Sequence, residues 1–272
     1  MTPNPMPDRH TARPPQPPPH LLAGMADWET TVAWSHIADV TTWRLRSPGG
    51  AARYLKVARL GWEQSLTAEH ERLVWAAGRL PVPPVLAYGR DGEREWLLTA
   101  GLAGVNATDD GLRADPTRLV ALLAAGLRQF HTVSVDDCPF DSRLDVMVES
   151  ARQRVAAGLV DAQRDLHRDH GDITPEQALD RLEQLRPQQE DLVVCHGDYC
   201  LPNVLIQDGR VSGYVDLGQL GVADRWADLA TATWSVTWNL GPGWEDLFLD
   251  AYGVQRDAAK LAFYRLLYDL TP

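Results

Sequence analysis

The sequence is poor in the features that mark secreted, membrane or nucleic-acid-binding proteins. Three cysteines, Cys138, Cys195 and Cys200, form neither a Cys-x-x-Cys pair nor an even disulfide framework. Unpaired thiols in a reducing compartment are therefore expected. No apolar run approaches the roughly 20 residues of a membrane-spanning helix. Basic residues are scarce: 26 Lys and Arg face 37 Asp and Glu, a formal net charge of -11. That balance disfavours nucleic acid or an anionic membrane as partner, because lysine and arginine must replace the counterions of a polyanion. It is compatible with a cationic substrate, although a solvated acidic surface explains it as simply. The first twenty residues lack an apolar h-region and hold eight of the nineteen prolines. They read as a disordered Pro-rich tail, 1–20, rather than a signal peptide, and the expected localisation is cytoplasmic. No internal repeat is visible.

What is present suffices for a packed core: 44% hydrophobic residues and ten tryptophans in 272 positions. The most informative stretch runs from Val193 to Gly218, VVCHGDYCLPNVLIQDGRVSGYVDLG. The apolar run 192–195 predicts a short buried strand that delivers His196, Gly197 and Asp198 into a loop. Asn203 follows Asp198 at the Asp-x-x-x-x-Asn spacing of a kinase catalytic loop. There the Asp orients or deprotonates a substrate hydroxyl and the Asn binds metal. Two alternating runs around Asp208-Gly209 predict a hairpin. The second run ends on Asp216-Leu217-Gly218, where kinase-like enzymes place a Mg²⁺-binding carboxylate. Phosphoryl transfer depends mostly on positioning and on neutralising an anionic triphosphate, and hard oxygen ligands such as Asn203 and Asp216 suit Mg²⁺. Asp198 is then the expected catalytic residue.

HGDYCLPNVLI followed by YVDLGQLGVADRWADLA resembles the signature region of the aminoglycoside phosphotransferase family, antibiotic-modifying enzymes with a protein-kinase-like fold. The resemblance extends from about Trp34 to Leu270. It implies an α+β, bilobal fold with a small β-rich N-terminal lobe, 21–100, and a larger, mostly helical catalytic and substrate-binding lobe, 101–272. It also implies Mg²⁺, with ATP or GTP as co-substrate. In the first lobe, strands are expected at 34–37, 42–46, 53–57, 85–88 and 96–99. A helix is expected at 64–77, closed by Gly78. Lys56 on the third strand is expected to reach the nucleotide phosphates and to pair with Glu69, since EHERLVW fits the family's Glu-x-x-Arg-Leu-x-Trp pattern. The stretch 35–42 that would cover the nucleotide contains no glycine, which leaves the hydroxyls of Thr41 and Thr42 to face phosphate. Adenine is expected against the hinge backbone at Ala100 and Leu102. Asp115-Pro116 predicts the start of an apolar helix running to Phe130, with a structural His131 at its end.

Departures from the family concentrate where an acceptor would bind. The loop 161–170 balances Asp161 with Arg164 and Arg168. The helix after Asp228 carries Trp234 and Trp238, one turn apart, in place of charged residues. The chain ends on Tyr268-Asp269-Leu270-Thr271-Pro272. Asp161, Trp234, Trp238 and Asp269 are the candidate acceptor contacts; the two tryptophans serve equally well as core. The expected function is transfer of a γ-phosphate to a hydroxyl of an aminoglycoside-type antibiotic, conferring resistance. A nucleoside antibiotic such as capuramycin, a small metabolite such as choline or homoserine, and a non-catalytic nucleotide-binding pseudokinase are the alternatives. The expected assembly is a monomer or homodimer.

Overall fold

The computed structural model describes residues 15–36 and 39–271. Residues 1–14, most of the expected tail, lie outside the described residues, as do Ile37 and Ala38 of the glycine-free loop. The chain divides into two compact units at Leu102/Ala103.

The first unit is a five-stranded antiparallel sheet in the order β1-β2-β3-β5-β4. Its strands are β1 (Glu29–His36), β2 (Val40–Arg46), β3 (Ala52–Arg59), β4 (Val85–Arg90) and β5 (Arg94–Ala100), with α1 (Leu66–Ala76) between β3 and β4. The period of two along a strand sorts β3: Leu55 and Val57 are buried, while Lys56 points to the opposite face. Leu45, Leu55, Val57, Trp96 and Leu98 form a core cluster, against which Leu21, Leu22, Met25 and Trp28 pack. That apolar face must be covered, and the chain just before β1 covers it. Pro15 and Pro18 are buried, the Gln16 carbonyl accepts from Arg94 Nη1 at 2.8 Å, and the His20 ring meets Trp96 edge-on at 5.3 Å. Residues 15–20 of the stretch expected to be disordered are therefore held on the sheet.

The second unit is mostly helical. It contains β6 (Val105–Asn106), α2 (Asp110–Arg113), α3 (Pro116–Phe130), α4 (Leu144–Ala156), α5 (Pro175–Gln184), β7 (Leu192–Cys195), β8 (Val204–Gln207), β9 (Arg210–Tyr214), β10 (Gly221–Asp224), α6 (Trp226–Leu240), α7 (Glu245–Tyr252) and α8 (Ala258–Leu270). The unit has two small sheets, β10-β7 and β6-β8-β9. Helix α3 starts as expected: the Asp115 side chain accepts from Arg118 N, and Pro116 takes the first turn. Its buried stripe of Leu119, Leu123, Leu127 and Phe130 recurs at helical spacing. The hairpin β8-β9 turns on Asp208 and Gly209, with φ of 51° and 71°. A two-residue turn with both φ positive matches strand twist and favours an Asp-Gly pair. A small antiparallel β unit followed by a larger, mostly helical one is the α+β, bilobal organisation expected from the sequence.

Candidate active site

The loop after β7 is shaped by a residue with no side chain. Gly197 has φ of +87°, and a Cβ there would lie 2.5 Å from the Gln219 carbonyl oxygen. Only glycine fits both the left-handed backbone and that approach. The loop is anchored from below by a carboxylate with no solvent exposure, that of Asp228 on α6. Its Oδ2 accepts from His196 N at 2.7 Å and its Oδ1 from Gly197 N at 2.8 Å. His131 Nε2 adds a contact to Oδ2 at 3.0 Å, and the other ring nitrogen meets the Tyr252 hydroxyl at 2.7 Å. Burial pushes the Asp228 carboxyl up, but the His131 hydrogen bond and the charges around it hold it below 3.8.

His131, Cys195 and Asp228 have potential ligand atoms within 4.8 Å of one another. They do not form a metal centre. The imidazole nitrogens and the carboxylate are committed to protein partners. Cys195 Sγ faces the Ala223 and Asp224 carbonyls at 3.8 and 3.4 Å, its thiol kept protonated by burial. The cluster is the base on which the loop rests.

Above it, His196 Nδ1 accepts from Asp198 N at 3.3 Å, which leaves Nε2 to donate to the Val215 carbonyl at 3.1 Å. Val215 N in turn donates to the Asn203 carbonyl at 3.0 Å. These bonds tie the end of β9 to the Asp198 loop and carry Asp216 beside it. Asp216 is exposed and has φ of 61°. A non-glycine residue in that region is uncommon, and such outliers cluster at functional sites.

The Asp198 carboxylate is held at both oxygens. Asn203 Nδ2 donates to Oδ2 at 2.9 Å and to the Asp198 carbonyl at 3.1 Å. The Tyr268 hydroxyl donates to Oδ1 at 3.0 Å. Burial pushes the carboxyl up and nearby Asp216 adds to it, while the hydrogen bonds from Tyr268 and Cys200 oppose this, with a net rise above 3.8. With Nδ2 engaged, the Asn203 side chain turns Oδ1 away without a donor among the described residues. That oxygen, with the exposed carboxylate of Asp216, is a fitting pair of hard ligands for Mg²⁺.

In the first unit, Lys56 Nζ meets Glu69 Oε2 at 2.7 Å. Helix α1 is fixed for this contact by a residue that no local sequence signal marks. Buried Glu95 on β5 accepts from Leu66 N at 2.8 Å at the start of α1, where a carboxylate is favoured by the free N–H groups. Thr41 and Thr42 part company. Thr42 is the cross-strand neighbour of Lys56, whereas Thr41 is fully buried, with its hydroxyl 3.0 Å from Ser35 Oγ. Thr41 is therefore not placed to meet a phosphate. The Ala100 N–H is bound to the Pro84 carbonyl at 2.9 Å, while the Leu102 backbone has no hydrogen bond among the described residues.

The four candidate acceptor contacts also separate. Asp161 closes its own turn, accepting from Gln163 N and Arg164 N at 2.9 and 3.0 Å. Asp269 is turned inward to the same loop, its Oδ2 accepting from His167 N at 2.7 Å and lying 3.1 Å from His170 Nε2. Trp234 is buried at 2% exposure between His167, His170 and Arg265. Trp238 is 48% exposed, its ring 5.2 Å from Trp234 and 5.6 Å from His167. Ser235, one turn before it, holds the catalytic-loop residue Leu201 through its backbone N–H at 2.8 Å.

The sequence pattern of the phosphotransferase enzyme family matches residues 33–264. An aminoglycoside 3'-phosphotransferase of Streptomyces fradiae is 42% identical over 226 residues, covering 79% of this chain and 84% of that protein. Among solved structures, an aminoglycoside-3'-phosphotransferase of type VIII is 36% identical with a TM-score of 0.83, over 93% of this chain and 97% of the other. A Streptomyces rimosus aminoglycoside phosphotransferase solved with ADP and streptomycin is 30% identical with a TM-score of 0.75, over 92% and 96%.

Proposed function

The chain belongs to the phosphotransferase enzyme family, and from that membership we propose that it transfers the γ-phosphate of ATP to a hydroxyl of an aminoglycoside, inactivating the antibiotic and conferring resistance. The observation that carries this reading is the Asp198 carboxylate held at both oxygens, by Asn203 and by Tyr268, with the exposed Asp216 close by. In the proposed reaction Asp198 orients the acceptor hydroxyl and takes its proton. The hydroxyl oxygen bonds to the γ-phosphorus, the bond from that phosphorus to the bridging oxygen breaks, and ADP leaves. Asn203 and Asp216 would hold Mg²⁺, which neutralises charge on the phosphates. Lys56, oriented by Glu69, contacts those phosphates, Thr42 lies beside it, and the Leu102 backbone receives the adenine. The related streptomycin-bound structure was solved with ADP, which supports an adenine nucleotide as donor.

Lys56→Ala is expected to lower kcat/KM for nucleotide roughly 10- to 100-fold, the worth of a hydrogen bond between charged groups. Glu69→Gln should lose less, because the lysine keeps its charge and only its orientation is loosened. Nucleotide titration followed by initial rates checks both; equal kinetics in wild type and Lys56→Ala would remove the lysine from the phosphate site.

For the acceptor, half-exposed Trp238 next to the Ser235–Leu201 tie offers a flat face, and buried Trp234 supports it from behind. This favours a second reading, an acceptor with a planar group such as a nucleoside antibiotic. Because Trp238 is half-exposed and packs on Trp234 and His167, Trp238→Ala should lower the melting temperature by a few degrees while raising acceptor KM roughly 2- to 10-fold, the range of exposed aromatic and cation–π contacts. Unchanged acceptor KM would show that the ring makes no contact.

The deciding experiment is mass-spectrometric detection of phosphoryl transfer from ATP or GTP with Mg²⁺ to kanamycin, neomycin, streptomycin and capuramycin. A phosphorylated aminoglycoside supports the proposal. Phosphorylated capuramycin with unmodified aminoglycosides moves it to nucleoside antibiotics, and no product on any of the four overturns the antibiotic assignment.

A further inference from the structure

The catalytic loop supplies the Asn203 bond to the Asp198 carboxylate and sets Cys200 beside it, but it does not supply the bond to Oδ1. Asn203, five residues on, holds Oδ2; the bond to Oδ1 comes from the far end of the chain, from Tyr268 in the last turn of α8. A single donor leaves a carboxylate free to swing about its Cβ–Cγ bond. Two donors on opposite oxygens, from elements 65 residues apart in sequence, fix its plane while leaving a lone pair on each oxygen for the acceptor proton.

The last turn is built to hold that hydroxyl still. Asp269, the next residue, is fastened to His167 N and lies 3.1 Å from His170. Leu270, the one after, accepts from Arg154 Nη1 through its carbonyl at 2.8 Å and is fully buried. Three successive residues thus engage the Asp198 loop, the 161–170 loop and α4. Burial also raises the Tyr268 phenol well above 10, so the group remains a donor at neutral pH.

We propose that Tyr268 is a positioning residue for phosphoryl transfer, its hydroxyl fixing the Asp198 carboxylate in the plane from which it receives the acceptor proton. This rests on the reading of Asp198 as the base. It gives the C-terminal turn a part in the chemistry that is separate from acceptor binding.

The test is Tyr268→Phe, which removes one oxygen and keeps the ring. With an aminoglycoside that wild type turns over, kcat is expected to fall roughly 10- to 100-fold, the range for losing a hydrogen bond to a charged group. Both KM values should be unchanged, and the melting temperature should fall by only a few degrees, for the one hydrogen bond lost. A merely structural tyrosine would lower the melting temperature while leaving kcat unchanged. In an Asp198→Asn background the same substitution should bring no further loss, because its effect passes through the missing carboxylate. Wild-type kcat in Tyr268→Phe overturns the proposal, as does an equal loss in both backgrounds. Slow ATP hydrolysis, in which water replaces the acceptor, is measured on the same variants. Hydrolysis that drops in Tyr268→Phe while every aminoglycoside stays unmodified would overturn the substrate assignment and retain the role of Tyr268.

Discussion

Asp198→Asn is expected to lower kcat by roughly 10²- to 10⁴-fold, the usual worth of a positioned general base, while leaving nucleotide affinity and the melting temperature unchanged. The substitution is isosteric, and the surroundings decide how the new amide settles. Asn203 presents a donor to the Oδ2 position at 2.9 Å, so an amide nitrogen there would oppose donor to donor. At the Oδ1 position the partner is the Tyr268 hydroxyl at 3.0 Å, which can rotate and accept instead. The amide should therefore sit with its oxygen toward Asn203 and its nitrogen toward Tyr268, preserving the loop. What it loses is the ability to take a proton. Calorimetric titration with ADP, thermal melting and product detection by mass spectrometry separate these effects. If Asp198→Asn turns over within a few-fold of wild type, another group accepts the proton and Asp198 has only an orienting role.

The parts of the site that the sequence makes legible are those set by short-range chemistry. The Asp208-Gly209 turn follows from two adjacent positive φ angles. The start of α3 follows from Asp115 capping with Pro116 behind it. The family's pattern pairs Lys56 with Glu69, 13 residues apart, and the structure brings them to 2.7 Å. Long-range chemistry was not legible. Nothing local to Asp228 says that its carboxylate binds the backbone of His196 and Gly197 about thirty residues earlier, and nothing local to Tyr268 points to Asp198. The position of His131 at the end of an apolar helix marks it as structural, but only the fold brings it to Asp228. Side-chain type also misled where an alternative partner was closer. Asp161 and Asp269 are acids in the region expected to meet a cation, yet backbone N–H groups claim them first, those of its own turn for Asp161 and the distant His167 N–H for Asp269. Trp234 and Trp238 have the same helical spacing as any core pair, so periodicity could not tell the buried ring from the exposed one.

Asp228→Asn should be as damaging to activity as loss of the base itself, and unlike that variant it should also destabilise the protein. The two carboxylate oxygens each receive a backbone N–H, from His196 at 2.7 Å and from Gly197 at 2.8 Å. An amide nitrogen must face one of them whichever way it turns, leaving a buried donor opposed and the His131 contact without its anion. Breaking a buried charged cluster of this kind costs about 3–5 kcal/mol. For a chain of this size, that lowers the melting temperature by roughly 6–20 °C. The dependence on pH distinguishes this cause from simple misfolding. Asp228 is held below 3.8 in the folded protein, so the unfolded chain binds its proton first as pH falls. The contribution to stability is complete above 3.8 and is lost as pH drops through the depressed folded value. The Asn variant has no such proton to bind. Denaturant unfolding of wild type and variant should therefore differ by a constant amount near neutral pH and converge in acid. Parallel curves down to pH values below 3.8 would mean that the Asp228 carboxylate is not what the loop rests on.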